Sequence, residues 1–263
     1  MEHRCSEDED LSVVLTRIKR PRAATSRDRK VNSPATRLFL DAGVVILNES
    51  LPFYQSQIEG DYARIFEPLT RAAVCTGAGR LAGDGVQGLG PGAWANRWEY
   101  KEDYVTDLVS YVLRPGPWAN ACRAQRESLG ALSHRNLDLA TLLARFLEEQ
   151  LRSQLSDPSI VLAYALTTAL PNHPLVREAN ERLYDVVVDE LRGLLLEIGS
   201  IYGVQPASGR SWRDTAVLLD TVAEGCFLRI TTAERLGTLD DKASVIGYAC
   251  ALVAASLQAA SSK

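Results

Sequence analysis

Residues Thr70 to Val105 read TRAAVCTGAGRLAGDGVQGLGPGAWANRWEYKEDYV and place two short helical patterns on either side of a glycine-rich loop. The first pattern, Thr70–Ala78, begins with a residue that commonly caps helices. The second, Ala93–Trp98, is followed by a longer amphipathic helix that starts near Lys101. Two short helices followed by a scaffold helix are typical of a helix-turn-helix.

The loop also contains a G-x-G-x-x-G sequence, Gly83 to Gly88, which is the pattern of dinucleotide-binding loops. Such a loop needs a strand before it and a parallel sheet around it. The preceding residues, Pro68 to Val74, have a helical pattern instead, and no segment predicts a β-α-β unit. We therefore interpret the glycines as a surface loop and expect no nucleotide cofactor.

Helical patterns cover nearly all of the chain after residue 33, and no window alternates convincingly with a period of two. The predicted helix starts, marked by cap residues and prolines, are Asn32-Ser33-Pro34, Asp157-Pro158, Asn172-His173-Pro174 and Ser211 with Asp214. The sequence predicts an all-α fold. We expect a helix-turn-helix domain over residues 34–114 and a helical regulatory and dimerisation domain over residues 115–263.

The first 33 residues form a segment of uneven charge. Residues 1–16 are acidic, whereas residues 17–37 carry eight Lys or Arg against the single Asp28. So few apolar residues predict a disordered arm. Its basic part, including Arg20 and Arg22, is suited to contacts with DNA phosphates, and a solvated tail is the alternative.

Composition argues against several other classes of protein. Five scattered cysteines without close pairs are typical of a reduced cytoplasmic protein. The three histidines lie far apart, so we expect no metal site, and no sequence motif predicts an enzyme. No apolar run is long enough to span a bilayer, and the acidic start does not resemble a secretory signal.

Several segments resemble the TetR-type transcriptional regulators. The first helix of that family, R-x-x-I-L-x-A-A, resembles Arg37–Gly43, and its second helix resembles Thr70–Ala78. Its turn and recognition helix, G-V-S-x-G-T-F-Y-x-x-F/W-x-x-K-E-x-L, resembles Gly88–Tyr104. The positions in this segment that fall where the family expects them are Gly92, Ala93, Trp94, Trp98, Lys101 and Glu102.

The C-terminal part carries a weaker resemblance to the same family. The residues similar to L-x-A-L-x-E-G-x-x-x-R of the penultimate helix are Leu218, Leu219, Ala223, Glu224, Gly225 and Arg229. The resemblance implies a homodimeric transcription regulator that binds a double-stranded DNA operator. We expect a repressor whose operator binding is relieved by a small apolar effector.

Candidate DNA contacts lie around the two short helices and in the arm. We interpret Trp94 and Trp98 as core residues, which places Asn96 and Arg97 on the opposite, polar face as base readers. Thr70 and Arg71 start the second helix, where the helix dipole favours a phosphate. The predicted DNA-binding residues are Arg20, Arg22, Thr70, Arg71, Ala93, Asn96, Arg97 and Lys101.

Side chains with an apolar body and a polar tip are candidates for holding the effector. They are Trp118, Tyr164, His173, Tyr184, Tyr202 and Trp212, with Cys226 and Phe227 as similar candidates. The alternative is that each is an ordinary core residue. We expect the last two helices, about 211–230 and 240–257, to form the dimer through a face of small residues, namely Ala243, Gly247, Ala251, Ala254 and Ala255.

Three departures from the family pattern define an alternative function. Residues Gly79–Gln87 are extra, the segment Asn48–Leu69 is longer and has room for another helix, and Ala95 replaces a tyrosine that commonly reaches a DNA phosphate. An enlarged turn can loop outward and leave the helix pair intact. It can also mark a TetR-like protein with a degenerate helix-turn-helix, which acts as a ligand-binding or protein-interaction module without DNA binding.

Overall fold

The computed structural model describes residues 9–19, 24–54, 62–83, 86, 88–133, 137–233 and 244–260. These residues are almost entirely helical, which confirms the all-α prediction. The helices are α1 (Ala24–Val31), α2 (Pro34–Tyr54), α3 (Tyr62–Ile65), α4 (Arg71–Ala82), α5 (Pro91–Ala95), α6 (Lys101–Val112), α7 (Gly116–Ser133), α8 (Leu139–Leu155), α9 (Pro158–Ala169), α10 (Pro174–Tyr202), α11 (Trp212–Ala233) and α12 (Val245–Ala255). A 3-10 helix spans Leu11–Val13, and two short strands are β1 (Val204–Pro206) and β2 (Leu257–Ala259).

The predicted helix starts are confirmed, because their cap residues satisfy exposed backbone donors. The Asp157 side chain accepts a hydrogen bond from Ser159 N before α9. At α11, Asp214 Oδ2 accepts from Ser211 N at 2.7 Å, and Asp214 N donates to Ser211 Oγ at 3.2 Å. Pro34 and Pro174 are the first residues of α2 and α10.

Other elements differ from the sequence prediction. β1 and β2 form an antiparallel pair in which Gln205 lies opposite Gln258, and strands of three residues are too short to leave a periodic pattern. The chain continues as helix α4 through Ala82, so part of the predicted Gly79–Gln87 insertion lengthens a helix. Within the long segment Asn48–Leu69, α2 continues to Tyr54 and the four-residue α3 follows.

The chain divides into two compact units, which do not follow the predicted domains throughout. Unit 1 contains residues 1–114 and 157–181, and unit 2 contains residues 115–156 and 182–263. The division between Arg114 and Pro115 lies at the predicted boundary. However, α9 and the first residues of α10 belong to unit 1, because α9 packs against α2 and α6.

In unit 1, α2 packs against α4, α6 and α9 around a core that includes Phe39, Leu47 and Leu108. Gly43 permits the close approach of α2 and α6, since a Cβ at this position would collide with the Tyr104 hydroxyl. That hydroxyl donates to Phe39 O at 2.7 Å. A buried tyrosine therefore occupies the space beside this glycine.

In unit 2, α8 packs against α7, α11 and α12, while β1 and β2 pair beside α11 and α12. α10 ends at Tyr202, and the next residue, Gly203, has a φ of 62°, in the left-handed region that favours glycine. Gly203 O accepts a hydrogen bond from Ala260 N, which closes the strand pair. None of the helices in the described ranges is long and apolar enough to cross a membrane.

Candidate nucleic-acid interface

The start of α4 exposes two of the predicted DNA contacts. Thr70 caps the helix, and its Oγ1 accepts a hydrogen bond from Ala73 N at 3.1 Å. Arg71 is exposed, and its guanidinium carbon lies 4.7 Å from the centroid of the Trp94 ring. Stacking on the indole restricts the arginine without neutralising its charge. The positive end of the helix dipole and this cation therefore lie together at the surface.

An aromatic cluster fixes α5, the predicted recognition helix, although α5 has only five residues. Trp94 and Trp98 are almost fully buried, which confirms their interpretation as core residues. Trp98 lies edge-on to Tyr104, with ring centroids 5.0 Å apart, and contacts Phe39 in a similar geometry. The packing of these large aromatic side chains therefore stabilises α5, which is too short to be stable through its own backbone hydrogen bonds.

The start of α6 lies beside the start of α4. Lys101 Nζ donates to Glu67 O, three residues before the α4 cap, at 3.1 Å. The preceding residue, Tyr100, is 63% exposed. The predictions omitted Tyr100, because the sequence does not show that this tyrosine is exposed.

The predicted orientation of Arg97 is wrong. Arg97 is 9% exposed, and its guanidinium donates to Thr36 Oγ1 at 2.8 Å and to Ser33 Oγ at 3.0 Å. It also donates to Ala93 O at 2.8 Å, and burial lowers its pKa. The turn after Trp94 directs the Arg97 side chain toward the start of α2. Its guanidinium therefore joins α5 to α2 and is not available to donate hydrogen bonds to a base.

The N-terminal arm is not disordered over its described residues. Residues 9–19, which we call the strap, bury Leu11, Leu15 and Ile18 in unit 1, and residues 24–31 form α1. For these residues the prediction of disorder, which followed from the high charge of the segment, was wrong; residues 1–8 and 20–23 lie outside the described ranges. The spacing of the three apolar residues, four and three positions apart, is a signal that could have revealed the strap.

Asp107 on α6 fixes the middle of the strap. Its carboxylate is fully buried and accepts hydrogen bonds from Thr16 N at 2.8 Å, from Arg17 N at 2.9 Å and from Trp98 Nε1 at 2.9 Å. Burial raises the Asp107 pKa to about 6, against the opposing effect of these donors. One carboxylate therefore joins the strap, α6 and the indole that anchors α5. The predictions did not include Asp107, because its two partners in the strap lie about 90 residues away in sequence.

Two lysines from the N-terminal segment lie at the C-terminal end of α5. Lys19 Nζ donates to Ala95 O at 3.0 Å, and Lys30 Nζ donates to Asn96 O at 3.0 Å. Partial burial and the nearby cations Arg97 and Lys19 lower the Lys30 pKa. Cations at a helix C-terminus satisfy free carbonyl groups and interact favourably with the dipole. The arm is therefore held against α5, whereas a freely moving arm was expected.

The remaining predicted DNA contacts have mixed positions. Asn96 is exposed, and its Oδ1 lies 3.4 Å from Lys30 Nζ. Ala93 is half-buried on α5. Arg20 and Arg22 lie outside the described residues. Thr70, Arg71 and Lys101 thus lie together at the starts of α4 and α6. Asn96 is exposed at the end of α5 beside Lys30, and Arg97 is buried.

The six predicted effector contacts are divided between the two units. Tyr164 and His173 belong to unit 1, whereas Trp118, Tyr184, Tyr202 and Trp212 belong to unit 2. Within unit 2, the Tyr202 hydroxyl donates to Leu137 O, and the Trp212 ring packs so closely on Gly199 that a Cβ there would collide with it. These two side chains therefore have structural roles that account for their positions.

Across the described ranges, no group of three or more His, Cys, Asp or Glu side chains has the arrangement of a metal site. Gly83, which follows α4, and Gly88 have φ values of 56° and 82°, in the left-handed region that favours glycine. Comparison with protein-family models, curated proteins and solved structures finds no match to this chain.

Proposed function

We propose that the protein is a TetR-like transcription regulator that binds duplex DNA through unit 1 and responds to an effector in unit 2. In unit 1, the DNA-binding surface consists of the start of α4, the exposed part of α5, the start of α6 and the basic residues held at the end of α5. We propose that it acts as a repressor and that binding of the effector releases it from the operator.

The observation that carries this proposal is the position of Lys19 and Lys30. Both ammonium groups donate to neutral carbonyl oxygens at the end of α5, so these bonds leave their positive charge intact. Arg17 and Arg29, which are exposed, extend the same basic segment. In a chain with a net charge of −4, cations gathered at one surface favour DNA there against a repulsive overall field.

The other side of the surface offers phosphate contacts of a different kind. The α4 N-terminus presents backbone donors at Thr70 with the Arg71 guanidinium next to them, and such an end of a helix attracts a phosphate. Lys101 and Tyr100 add a cation and a hydroxyl at the start of α6. Exposed Glu67, Glu99 and Glu102 oppose phosphates at this side. The cations of the surface would displace counterions from DNA, so we expect the affinity to fall as the salt concentration rises.

A fluorescence-anisotropy titration of labelled random duplex DNA tests the proposal. We expect micromolar binding at low salt that weakens steeply at moderate salt, because counterion release drives such binding. Arg71→Gln should weaken it, whereas Arg145→Gln, which removes an equal charge from an exposed position on α8, should not. Equal effects of the two variants would contradict the proposed surface.

We further propose that the protein is a homodimer through α11 and α12. These helices expose apolar side chains that are costly to leave in water, namely Leu218, Leu228, Tyr248 and Leu252, at 39–56% exposure. Ala251 and Ala255 lie exposed beside them, whereas Gly247 and Ala254 are half-buried and Ala243 lies outside the described residues. A symmetric pair of subunits would place the same patch on both sides of the interface.

Leu252→Glu should convert the dimer into a monomer, because it buries a charge in the proposed interface. Light scattering coupled to size-exclusion chromatography at micromolar concentration measures the mass. Leu81→Glu, at an exposed leucine of α4, is the matched control and should remain dimeric. A wild-type mass of one chain would contradict the dimer.

Two observations favour a second function, in which the protein is an interaction module with a degenerate helix-turn-helix. Arg97, the strongest candidate for reading bases, is buried, and α5 has only five residues. A surface of this kind retains phosphate contacts and lacks an arginine to specify sequence. Absence of duplex binding at low salt by a folded dimer would favour this second function.

A further inference from the structure

The strap runs along the whole length of α6 and is anchored at both ends. At its start, Glu9 Oε2 accepts a hydrogen bond at 2.9 Å from Nε of Arg114, which follows the C-terminal end of α6. At its end, Lys19 N donates to Arg97 O at 2.7 Å, and Lys19 Nζ donates to Ala95 O at 3.0 Å. The strap is therefore antiparallel to α6, whose twelve residues span about 18 Å, and it joins the far end of that helix to α5.

The anchor at Glu9 is a largely buried ion pair. The Arg114 side chain is 2% exposed and the Glu9 side chain 20%. The Arg114 guanidinium carbon also lies 3.7 Å from the centroid of the Tyr111 ring, which restricts its position. In addition, the Glu9 carbonyl oxygen accepts a hydrogen bond from Arg37 Nη2 of α2. Charge-assisted hydrogen bonds of this kind are stronger than neutral ones, so Glu9 fixes the start of the strap to α2 and to the end of α6.

The strap is also held between its two anchors. Leu11, Leu15 and Ile18 are at most 2% exposed. The Asp107 carboxylate accepts from two backbone N–H groups in the middle of the strap and from the indole of Trp98, which packs against Trp94 of α5. A displacement at the start of the strap therefore reaches α5 through a continuous set of contacts.

We propose that Glu9 is a positioning residue for α5, which acts through the strap from the opposite end of α6. Loss of the Glu9 carboxylate would detach the start of the strap and weaken the anchors that follow it, at Asp107 and Lys19. The five-residue helix α5 would then lose part of its support. The consequence for DNA affinity rests on the proposed function, in which α5 and the cations beside it bind the duplex.

Electrostatics alone predicts the opposite effect of removing Glu9. This residue is an anion in a chain of net charge −4, so its loss reduces the repulsion of DNA and should strengthen binding slightly. Positioning of α5 predicts weaker binding instead. The sign of the change in affinity therefore separates the two effects.

Anisotropy titrations of duplex DNA with Glu9→Ala and a matched control measure this sign. The control is Glu181→Ala, because Glu181 also belongs to unit 1 and pairs with an arginine, Arg177 at 4.0 Å, but is exposed on α10. We expect Glu9→Ala to weaken binding roughly 5–20-fold, in the range of coupling between separate sites. The slope of log Kd against log salt concentration should not change, because no phosphate contact is lost. Glu9→Gln keeps an acceptor oxygen for Arg114 and should weaken binding less, and Glu181→Ala should not weaken it.

Hydrogen exchange of the full chain without DNA, followed by mass spectrometry, measures the positioning itself. In Glu9→Ala we expect faster exchange at residues 16–19 and 94–98, because the contacts that hold the strap and α5 open more often. Exchange in α9, which belongs to the same unit, should stay at the wild-type rate. This reference distinguishes a local effect on α5 from a general loss of stability.

Unchanged exchange at residues 94–98 in a folded Glu9→Ala protein, or an equal increase in α9, would overturn the proposal. So would DNA binding by Glu9→Ala that is as tight as that of the wild type. Faster exchange confined to the strap and α5, in a chain that binds no DNA, would support the positioning role and overturn the proposed function. Wild-type DNA binding, with affinity and exchange both unaffected by Glu9→Ala, would do the reverse.

Discussion

Replacing Asp107 by alanine is expected to lower the free energy of unfolding by about 3–5 kcal/mol, the largest stability effect that we predict in unit 1. The substitution leaves the backbone N–H groups of Thr16 and Arg17 and the Trp98 indole N–H without their acceptor. The Trp98 bond is buried and the two backbone bonds are part-buried. A buried donor left unsatisfied costs about 1–3 kcal/mol. Urea unfolding followed by circular dichroism measures the change.

Asp107→Asn provides a graded comparison for the same site. Asparagine keeps one oxygen for the two backbone donors and places an NH₂ group toward Trp98, so its effect should be smaller than that of alanine. Trypsin should also cleave near Arg17 and Lys19 faster in the alanine variant, since the strap loses its central anchor. An alanine variant as stable as the wild type, with an equally protected strap, would show that Asp107 does not hold this segment.

Replacing Asp220 by asparagine should stabilise the protein more as the pH rises. Burial of Asp220 on α11 raises its native pKa to about 7, above the ordinary 3.8. Its contribution to stability is therefore present below pH 4 and is lost as the pH rises toward 7, because the unfolded chain releases the proton first. The free energy of unfolding of Asp220→Asn relative to wild type should increase by about 2–3 kcal/mol between pH 5 and pH 8.

Urea unfolding at several pH values measures this difference, and other titrating carboxyl groups cancel because both proteins contain them. Glu149→Gln on α8 is the control, since its exposed side chain should give a difference from wild type that is flat with pH. A flat difference for Asp220→Asn as well would show that its carboxyl group titrates like an exposed one. The raised pKa of Asp220 would then be contradicted.

The local features of the fold were predictable from the sequence, because they depend on neighbouring residues. Helix starts such as Asp157-Pro158 and the Ser211–Asp214 box satisfy donors within four positions. The burial of Trp94 and Trp98 followed from their spacing of one helical turn on α5 and its end. These signals do not depend on tertiary contacts, so they predict the helix wherever it packs.

The predictions that were wrong concern features that depend on partners far away in sequence. The strap is ordered by Asp107, and the Arg97 guanidinium is drawn inward by Ser33 and Thr36, more than 60 residues earlier. Helical periodicity placed Arg97 opposite the tryptophans, but α5 ends at Ala95 and the chain turns immediately after it. Hydrogen bonds between residues distant in sequence therefore determine that Arg97 is buried, and periodicity alone does not predict them.

The central claim is that the cationic surface of unit 1 binds DNA. The dependence of DNA affinity on salt tests this claim most directly, in a comparison of two variants of equal charge. Lys19→Gln/Lys30→Gln/Arg71→Gln removes cations from the proposed surface, while Arg145→Gln/Arg192→Gln/Arg229→Gln removes three exposed cations from unit 2. In plots of log Kd against log salt concentration, we expect the first variant to reduce the slope by about 2–3 units, close to one unit for each phosphate contact. The second should keep the wild-type slope. Equal slopes for the two variants, or no binding of the wild type at about 50 mM salt, would contradict the assignment of DNA binding to this surface.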